Sequence, residues 1–241
     1  MARSARASNP YAGVDALATR FGLTAEQGLR LRRYAVMLAE DGRAPTTVRE
    51  PQRVVDDHVA DALVALSLPA VRAASRVADI GAGAGLPGVV LAVALPSAHV
   101  TLIEASRRKC DFLEEVLSSL ELTNVVVVSG RVESWDAGLG EMDLVTTRAV
   151  APLSVVCEYS APLLRVGGSL VAWRGRRDPG AERAALAACD TLGLVAEEPL
   201  RVHPYAGAEH RHLHVISKVR ETPPGFPRRP GMAAKRPLGH S

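Results

Sequence analysis

Between residues 77 and 219, short apolar runs alternate with longer stretches patterned at helical spacing. Residues 77–80, 99–104, 125–129, 142–147 and 169–174 are apolar and rich in β-branched side chains. Runs of that kind read as strands buried on both faces of a parallel sheet. Helices are expected over residues 86–95, 107–120, 153–164 and 181–192. Arg165-Val166-Gly167-Gly168 is a turn ahead of the fifth strand, and Gly193 is the C-terminal stop of the last helix. Residues 194–202 and 212–219 can pair as an antiparallel end to the sheet. Strands alternating with helices of this length predict an α/β fold with a doubly wound sheet, mostly parallel with an antiparallel last strand. No repeat of solenoid length is present.

The preceding segment is patterned differently. Residues up to about Gly22 are small and polar and read as a loosely ordered start. Thr24-Ala25-Glu26-Gln27 has the form of a capping box. The helix it opens runs to about Glu40, with Gln27, Leu31, Tyr34, Ala35 and Leu38 along one side. After a turn through Asp41-Gly42-Arg43-Ala44-Pro45, a second helix over 51–66 buries Val55, Val59, Ala62, Leu63 and Leu66. Residues 1–70 therefore read as an N-terminal helical extension and residues 71–219 as the sheet domain. From 220 to 241, Pro223, Pro224, Pro227, Pro230 and Pro237 predict a tail without regular structure.

Composition narrows the compartment and the partners. Of the 241 residues 47% are apolar but only 4% aromatic, so Ala, Val and Leu must fill the core. No apolar run approaches the roughly 20 residues that cross a bilayer. Met1-Ala2-Arg3-Ser4-Ala5-Arg6 has no apolar stretch behind it and does not read as a secretory leader. Cys110, Cys157 and Cys189 are dispersed, without zinc or disulfide spacing. That suits a reducing cytoplasm, and Cys157 reads as a core thiol. The net charge is +3. From Lys218 onward, six basic side chains (Lys218, Arg220, Arg228, Arg229, Lys235, Arg236) face Glu221 alone, which leaves the rest of the chain slightly acidic. A basic tail on an acidic body points to an anionic polymer.

The candidate chemistry gathers on Val77-Ala78-Asp79-Ile80-Gly81-Ala82-Gly83-Ala84-Gly85-Leu86-Pro87-Gly88. A strand, a glycine turn and a helix start make a nucleoside pocket at the carboxyl edge of the sheet. Glu104 ends the second strand about 20 residues on, where a carboxylate suits two vicinal ribose hydroxyls. Gly83 to Gly88 satisfies the dinucleotide spacing G-x-G-x-x-G literally, which keeps an NAD-linked oxidoreductase open. The strand, however, ends at Gly81. From there the fitting pattern is acid-x-Gly-x-Gly-x-Gly with Asp79 as the acid, similar to motif I of class I S-adenosylmethionine-dependent methyltransferases, a Rossmann-like fold.

Further blocks carry a closer resemblance. The stretch from Asp79 to Gly88 resembles the signature of the RsmG (GidB) family, bacterial small-subunit (16S) ribosomal RNA guanine-N7 methyltransferases. Arg131-Val132-Glu133, Thr147-Arg148-Ala149, His58-Val59-Ala60-Asp61 and the tail from Arg229-Pro230-Gly231 to Lys235-Arg236-Pro237-Leu238 match in order. The resemblance implies S-adenosyl-L-methionine as cofactor, with Gly81, Leu86, Val132, Glu133 and Arg148 against it. Gly83, Gly85 and Glu104 complete that set on the reading of the residues themselves. The chain departs from the family in having Pro45-Thr46-Thr47, and Arg174 where a lysine is usual.

The segment after the fourth strand, Thr146-Thr147-Arg148-Ala149-Val150-Ala151-Pro152, offers neither the Pro-Pro-aromatic motif of amine methylation nor a Pro-Cys nucleophile. Guanine N7 fits such a site, because it carries a free lone pair and needs no general base. Arg148 is expected to pair with the donor's carboxylate or with RNA, with an ion pair to an acid such as Glu133 as the structural alternative. His58 and Asp61, three apart on a helix, are expected to order the helical extension over the pocket and not to hold a metal. Arg174, Arg176 and Arg177 after the fifth strand, with Arg228, Arg229, Lys235 and Arg236, form a basic rim for RNA phosphates. A monomer acting on ribosomal RNA or the small subunit is expected. A non-catalytic ribosome-assembly factor that binds RNA is the remaining alternative.

Overall fold

The computed structural model describes residues 9–239. The polar start at residues 1–6 lies outside them. Eight strands form one sheet in the order β3-β2-β1-β4-β5-β8-β6, with β7 on the edge of β8. These are β1 Arg76–Ile80, β2 His99–Glu104, β3 Val125–Ser129, β4 Met142–Arg148, β5 Leu164–Arg174, β6 Leu194–Ala196, β7 Leu200–Arg201 and β8 His212–Lys218. The five-strand run from β3 to β5 is parallel, and β8 enters antiparallel between β5 and β6. The chain reverses direction between β1→β2→β3 and β4→β5. This places the switch point, where ligands collect, at the carboxyl ends of β1 and β4.

Alternation along each strand divides the core in two. Val77, Leu102, Leu144 and Val171 face one side, with the N-terminal helices, and Ala78, Ile103, Val145 and Leu170 face the other. On the first side lie α1 Gly13–Phe21, α2 Ala25–Glu40 and the helical segment 51–67, followed by the short α5 Pro69–Arg72. The same side receives α6 Gly88–Ala94 and α7 Arg107–Ser119, while α8 Leu153–Ser160 and α9 Pro179–Leu192 cover the other. The N-terminal helices thus share a continuous core with the sheet. None of the described helices is long and apolar enough to cross a membrane.

The capping box forms as read: Thr24 accepts from the Gln27 N–H and the Gln27 side chain accepts from the Thr24 N–H. Four readings change. The start expected to be loosely ordered is helical from Gly13, because Val14, Leu17 and Ala18 recur at helical spacing and bury against the core. The expected turn at residues 165–168 is part of a long β5, with a shift in register opposite Met142 and Leu144. The stretch 194–202 is two short strands, not one. The tail is not wholly irregular: Met232–Lys235 forms one helical turn, α10, with Ala233 buried between it and the domain. Lys218, counted above with the tail charges, is a buried β8 side chain that donates to Ala161 O at 2.8 Å.

The expected helix over 51–66 exists, but its middle is a π turn, not α. It consists of α3 Pro51–Val54, a π turn Val55–Ala60, α4 Asp61–Leu63 and a 3-10 turn Val64–Ser67. π turns inside helices concentrate at functional sites, and this one carries Asp57 and His58.

Candidate active site

The glycine loop is held from below by Asp79. Its carboxylate is fully buried; Oδ1 accepts the Thr146 hydroxyl at 2.9 Å and Oδ2 accepts the Gly88 N–H at 3.0 Å. Burial pushes its pKa up to about 7 against the pull of those two bonds. A Cβ on Gly88 would stand 2.4 Å from Leu102 Cδ2 and 2.7 Å from the Asp79 carboxylate, so only glycine lets helix and strand approach this closely. Gly88 was the glycine that completed the dinucleotide spacing. Here its N–H belongs to Asp79 and not to a pyrophosphate. Gly81 turns the chain off β1 at φ +66°, where a Cβ would lie 2.7 Å from Val150. From the side, the buried Tyr34 hydroxyl on α2 donates to Ala84 O at 2.6 Å.

Beside this loop a cavity of about 270 Å³ opens at the ends of β1, β2 and β3. Gly81, Glu104, Val132 and Glu133 line it together with Tyr159 and Ala234. Glu104 is buried at the tip of β2; Oε2 accepts the Gly83 N–H at 3.0 Å and Oε1 accepts the Ser106 N–H at 2.8 Å. Of the expected cofactor residues, Gly83 therefore touches the cavity's edge through Glu104. Gly85 and Leu86 lie behind the loop: a Cβ on Gly85 would meet Val89, Tyr34 and Leu113, and Leu86 belongs to the core.

Arg148 does not line this cavity. Its Nη1 donates to Asp61 Oδ2 at 3.0 Å and to the Asp57 carbonyl at 2.8 Å, and its Nη2 reaches His58 Nδ1 at 3.1 Å. It lines a second cavity, and its protein partner is the helical segment and not Glu133. The physical reason is Asp61, which is 4% exposed and would be costly to leave unpaired. The π turn helps, since it sends the Asp61 N–H to Asp56 O instead of to Asp57 O. Asp61 Oδ1 also faces Arg211 Nε at 3.3 Å, and its carbonyl accepts the Trp173 indole N–H at 2.7 Å. Burial raises the Asp61 pKa, with Arg148 partly offsetting it.

The arginine fixes the state of His58. A guanidinium can only donate, so Nδ1 must accept and the proton sits on Nε2, which donates to Thr46 Oγ1 at 2.8 Å. Burial and the Arg148 charge hold its pKa down at about 4. Asp57 receives Tyr205, Arg211 at 3.2 Å and Arg53 at 2.9 Å. Burial opposes its ionisation, but the hydrogen bonds from Tyr205 and Arg53 keep its pKa below the usual carboxylate range. Sequence reasoning missed Thr46, Asp57, Trp173, Tyr205 and Arg211 as parts of this network. Only Thr46 carried a signal, as a departure from the family pattern.

This network lines a second cavity of about 500 Å³, and a third of about 540 Å³ adjoins it at Ala149, Arg174 and Gly175. The third meets the glycine-loop cavity at Val150 and Ala151. The segment 149–151 therefore borders all three. Ala149 sits at φ +56°, a left-handed conformation that costs a non-glycine residue about 1 kcal/mol or more.

The basic residues divide. Arg174 lies between the second and third cavities and donates to Ala151 O. Arg176 is exposed beside His210, and Arg177 is tied to Glu182 and Glu198. In the tail, Arg228 is paired with the buried Glu158, while Arg229, Lys235 and Arg236 face solvent. Cys157 and Cys189 are both buried, their sulfurs 3.8 Å apart in the core.

The model of a family described as rRNA small subunit methyltransferase G matches residues 27–212. A ribosomal RNA small subunit methyltransferase G from Rubrobacter xylanophilus is 43% identical over 220 residues, covering 88% of this chain and 84% of the relative. One from Chloroflexus aggregans is 38% identical over 223 residues, covering 90% and 92%. Among solved structures, a predicted O-methyltransferase from Agrobacterium tumefaciens superposes with TM-score 0.53 at 26% identity, covering 67% of this chain and 83% of that one. A geranyl diphosphate methyltransferase solved with S-adenosylmethionine superposes with TM-score 0.54 at 15% identity, covering 70% and 88%, a likeness of fold.

Proposed function

The chain belongs to the rRNA small subunit methyltransferase G family, and from that premise we propose that it transfers a methyl group from S-adenosylmethionine to N7 of a guanine in small-subunit ribosomal RNA. S-adenosylmethionine, when bound, supplies an electrophilic methyl group. The residues present suit it. Each oxygen of the buried Glu104 carboxylate keeps a lone pair beyond its backbone donor, enough for two ribose hydroxyls. The Gly81 turn leaves no Cβ between loop and cavity, and Val132 gives the cavity an apolar wall.

The observation that carries the N7 reading is that each acid, and the imidazole, of the Arg148 network faces an arginine. His58 has both ring nitrogens occupied, and Asp57 and Asp61 are each held by arginines. None of the three is free to take a proton from a nucleophile. An acceptor whose lone pair is already unprotonated needs none, so these residues bind, orient and exclude water. Alignment and proximity then carry the catalysis. The second cavity, beside β4 and its following loop, is where the base would enter. Arg174 on its wall, Arg176 on the adjoining third cavity, and Arg229, Lys235 and Arg236 on the tail beside the glycine-loop cavity would meet phosphates. Arg177 and Arg228 have carboxylate partners of their own. The protein acts as a monomer in the cytoplasm on this reading.

Labelled donor incubated with ribosomal RNA from cells lacking the activity should place label on guanine N7. Label on another base atom alone would overturn the N7 assignment. Reversing Arg176 and Lys235 to glutamate should weaken RNA binding and flatten its salt dependence; an unchanged slope would remove them from the rim.

A further inference from the structure

The tail does more than display charge. Its inner face borders the glycine-loop cavity: Ala234 of α10 lines it together with Gly81 and Glu104. Ala233 beside it is 2% exposed and lies in the same core cluster as Ile80, Ile103 and Val132. Phe226 and Leu238, one on each side of α10, pack against that cluster too. The tail is therefore seated on the residues that end β1 and β2.

Two polar anchors hold the seat. The Arg228 guanidinium meets the Glu158 carboxylate with two nitrogens, Nε to Oε1 at 2.6 Å and Nη2 to Oε2. Glu158 is 2% exposed on α8, so this pair is two-pronged and sheltered on the carboxylate's side. Three residues on, the Gly231 N–H donates to Glu133 Oε1 at 2.8 Å, and Glu133 is itself a wall of the cavity. One carboxylate thus serves both the cavity and the tail. On the outer face of the same short segment, Arg229, Lys235 and Arg236 are exposed.

We propose that the segment from Phe226 to Leu238 is a wall of the methyl-donor site, with Ala234 bordering the donor and Arg228 acting as a positioning residue through Glu158. This rests on the methyl-donor reading above. It follows that the seated segment and a bound donor stabilise one another by the same free energy.

The test is calorimetry of S-adenosylmethionine binding to three full-length chains: the unsubstituted protein, the charge-neutral double variant Arg228→Gln with Glu158→Gln, and Ala234→Asp. Trypsin cleavage after Lys235 reports the seating of the tail, since Arg229 and Arg236 each precede a proline and are not cut. The double variant leaves no unpaired buried charge, and Ala234 is exposed, so both changes are compatible with folding. The expected result is faster cleavage and at least tenfold weaker binding in the double variant, mostly through faster dissociation. Ala234→Asp should weaken binding at least tenfold, and saturating donor should slow cleavage of the unsubstituted chain. Faster cleavage with unchanged affinity in the double variant, or unchanged affinity in Ala234→Asp, would overturn the inference alone. No binding by the unsubstituted chain would overturn the methyl-donor reading and this inference with it.

Discussion

The two sides of the switch point are built by different means. On the β1–β3 side, backbone geometry does most of the positioning: Gly81 turns, Gly88 closes on Asp79, and Glu104 is fixed by two backbone N–H groups. On the β4–β5 side, side chains do it. Arg148, Asp61, Asp57, His58, Trp173 and Arg211 come from four separate stretches and meet at the π turn. A backbone-built pocket is specified within one short stretch of chain and recognises a constant ligand. A network of side chains depends on the whole fold, and it is where a protein can vary what it accepts.

The comparison can be broken most severely at Asp61. Asp61→Ala removes the carboxylate that Arg148 and Arg211 share, and breaking a buried pair in this way costs about 3–5 kcal/mol. Urea unfolding should register that loss. In protein that remains folded, donor binding should fall far less than RNA methylation. Equal losses would mean the two sides are one energetic unit.

Each side also buries a titratable group with a large shift, Asp79 on one and His58 on the other, and the two have opposite pH slopes. Asp79 is raised in the fold to about 7, so between about pH 4 and 7 the native state binds more protons than the unfolded chain. Its contribution is present at low pH and is lost as pH rises through 7. His58 is lowered to about 4, so between about 4 and 6.5 the unfolded chain binds more protons. Its contribution is present above 6.5 and is lost as pH falls toward 4. Each is on the order of 3 kcal/mol from shifts of this size, and in the unsubstituted protein the two slopes oppose one another. Asp79→Asn should therefore make stability rise with pH across this range, and His58→Gln should make it fall. Parallel profiles for the two variants would contradict the assignment.

Smaller changes sharpen the contrast. Gly88→Ala forces a methyl group into Leu102 and Asp79 and should cost about 1–3 kcal/mol, with a matching loss of donor affinity by calorimetry. Thr46→Val leaves the His58 Nε2–H without its acceptor and should cost about 1 kcal/mol. Its effect should fall on methylation of RNA and leave donor affinity unchanged. If the donor affinity moved instead, Thr46 would belong to the other side.

What was legible in the sequence follows this division. The alternation of apolar runs and helical stretches determined the sheet, because strands buried on two faces must be apolar throughout and each parallel crossover requires a helix. The register of the glycines from Asp79 and Gly81, with Glu104 a fixed distance on, determined where the glycine-loop cavity opens, because backbone turns and strand ends are local. The capping box at Thr24 was local too, and formed as read.

Tertiary structure decided the partners of charges. Whether Arg148 meets a ligand, an RNA phosphate or Asp61 depends on which buried carboxylate lies within reach, and Asp61 is 87 residues away in sequence. The same holds for Arg228, which the sequence offers as one tail cation among several and the fold commits to Glu158. Prolines indicated where the tail could not continue a helix or strand, but not that Ala233 and Phe226 would seat it on the sheet's second core. Hydrophobic periodicity is a property of neighbours along the chain. The cost of leaving a buried charge unpaired is settled only when distant segments have packed.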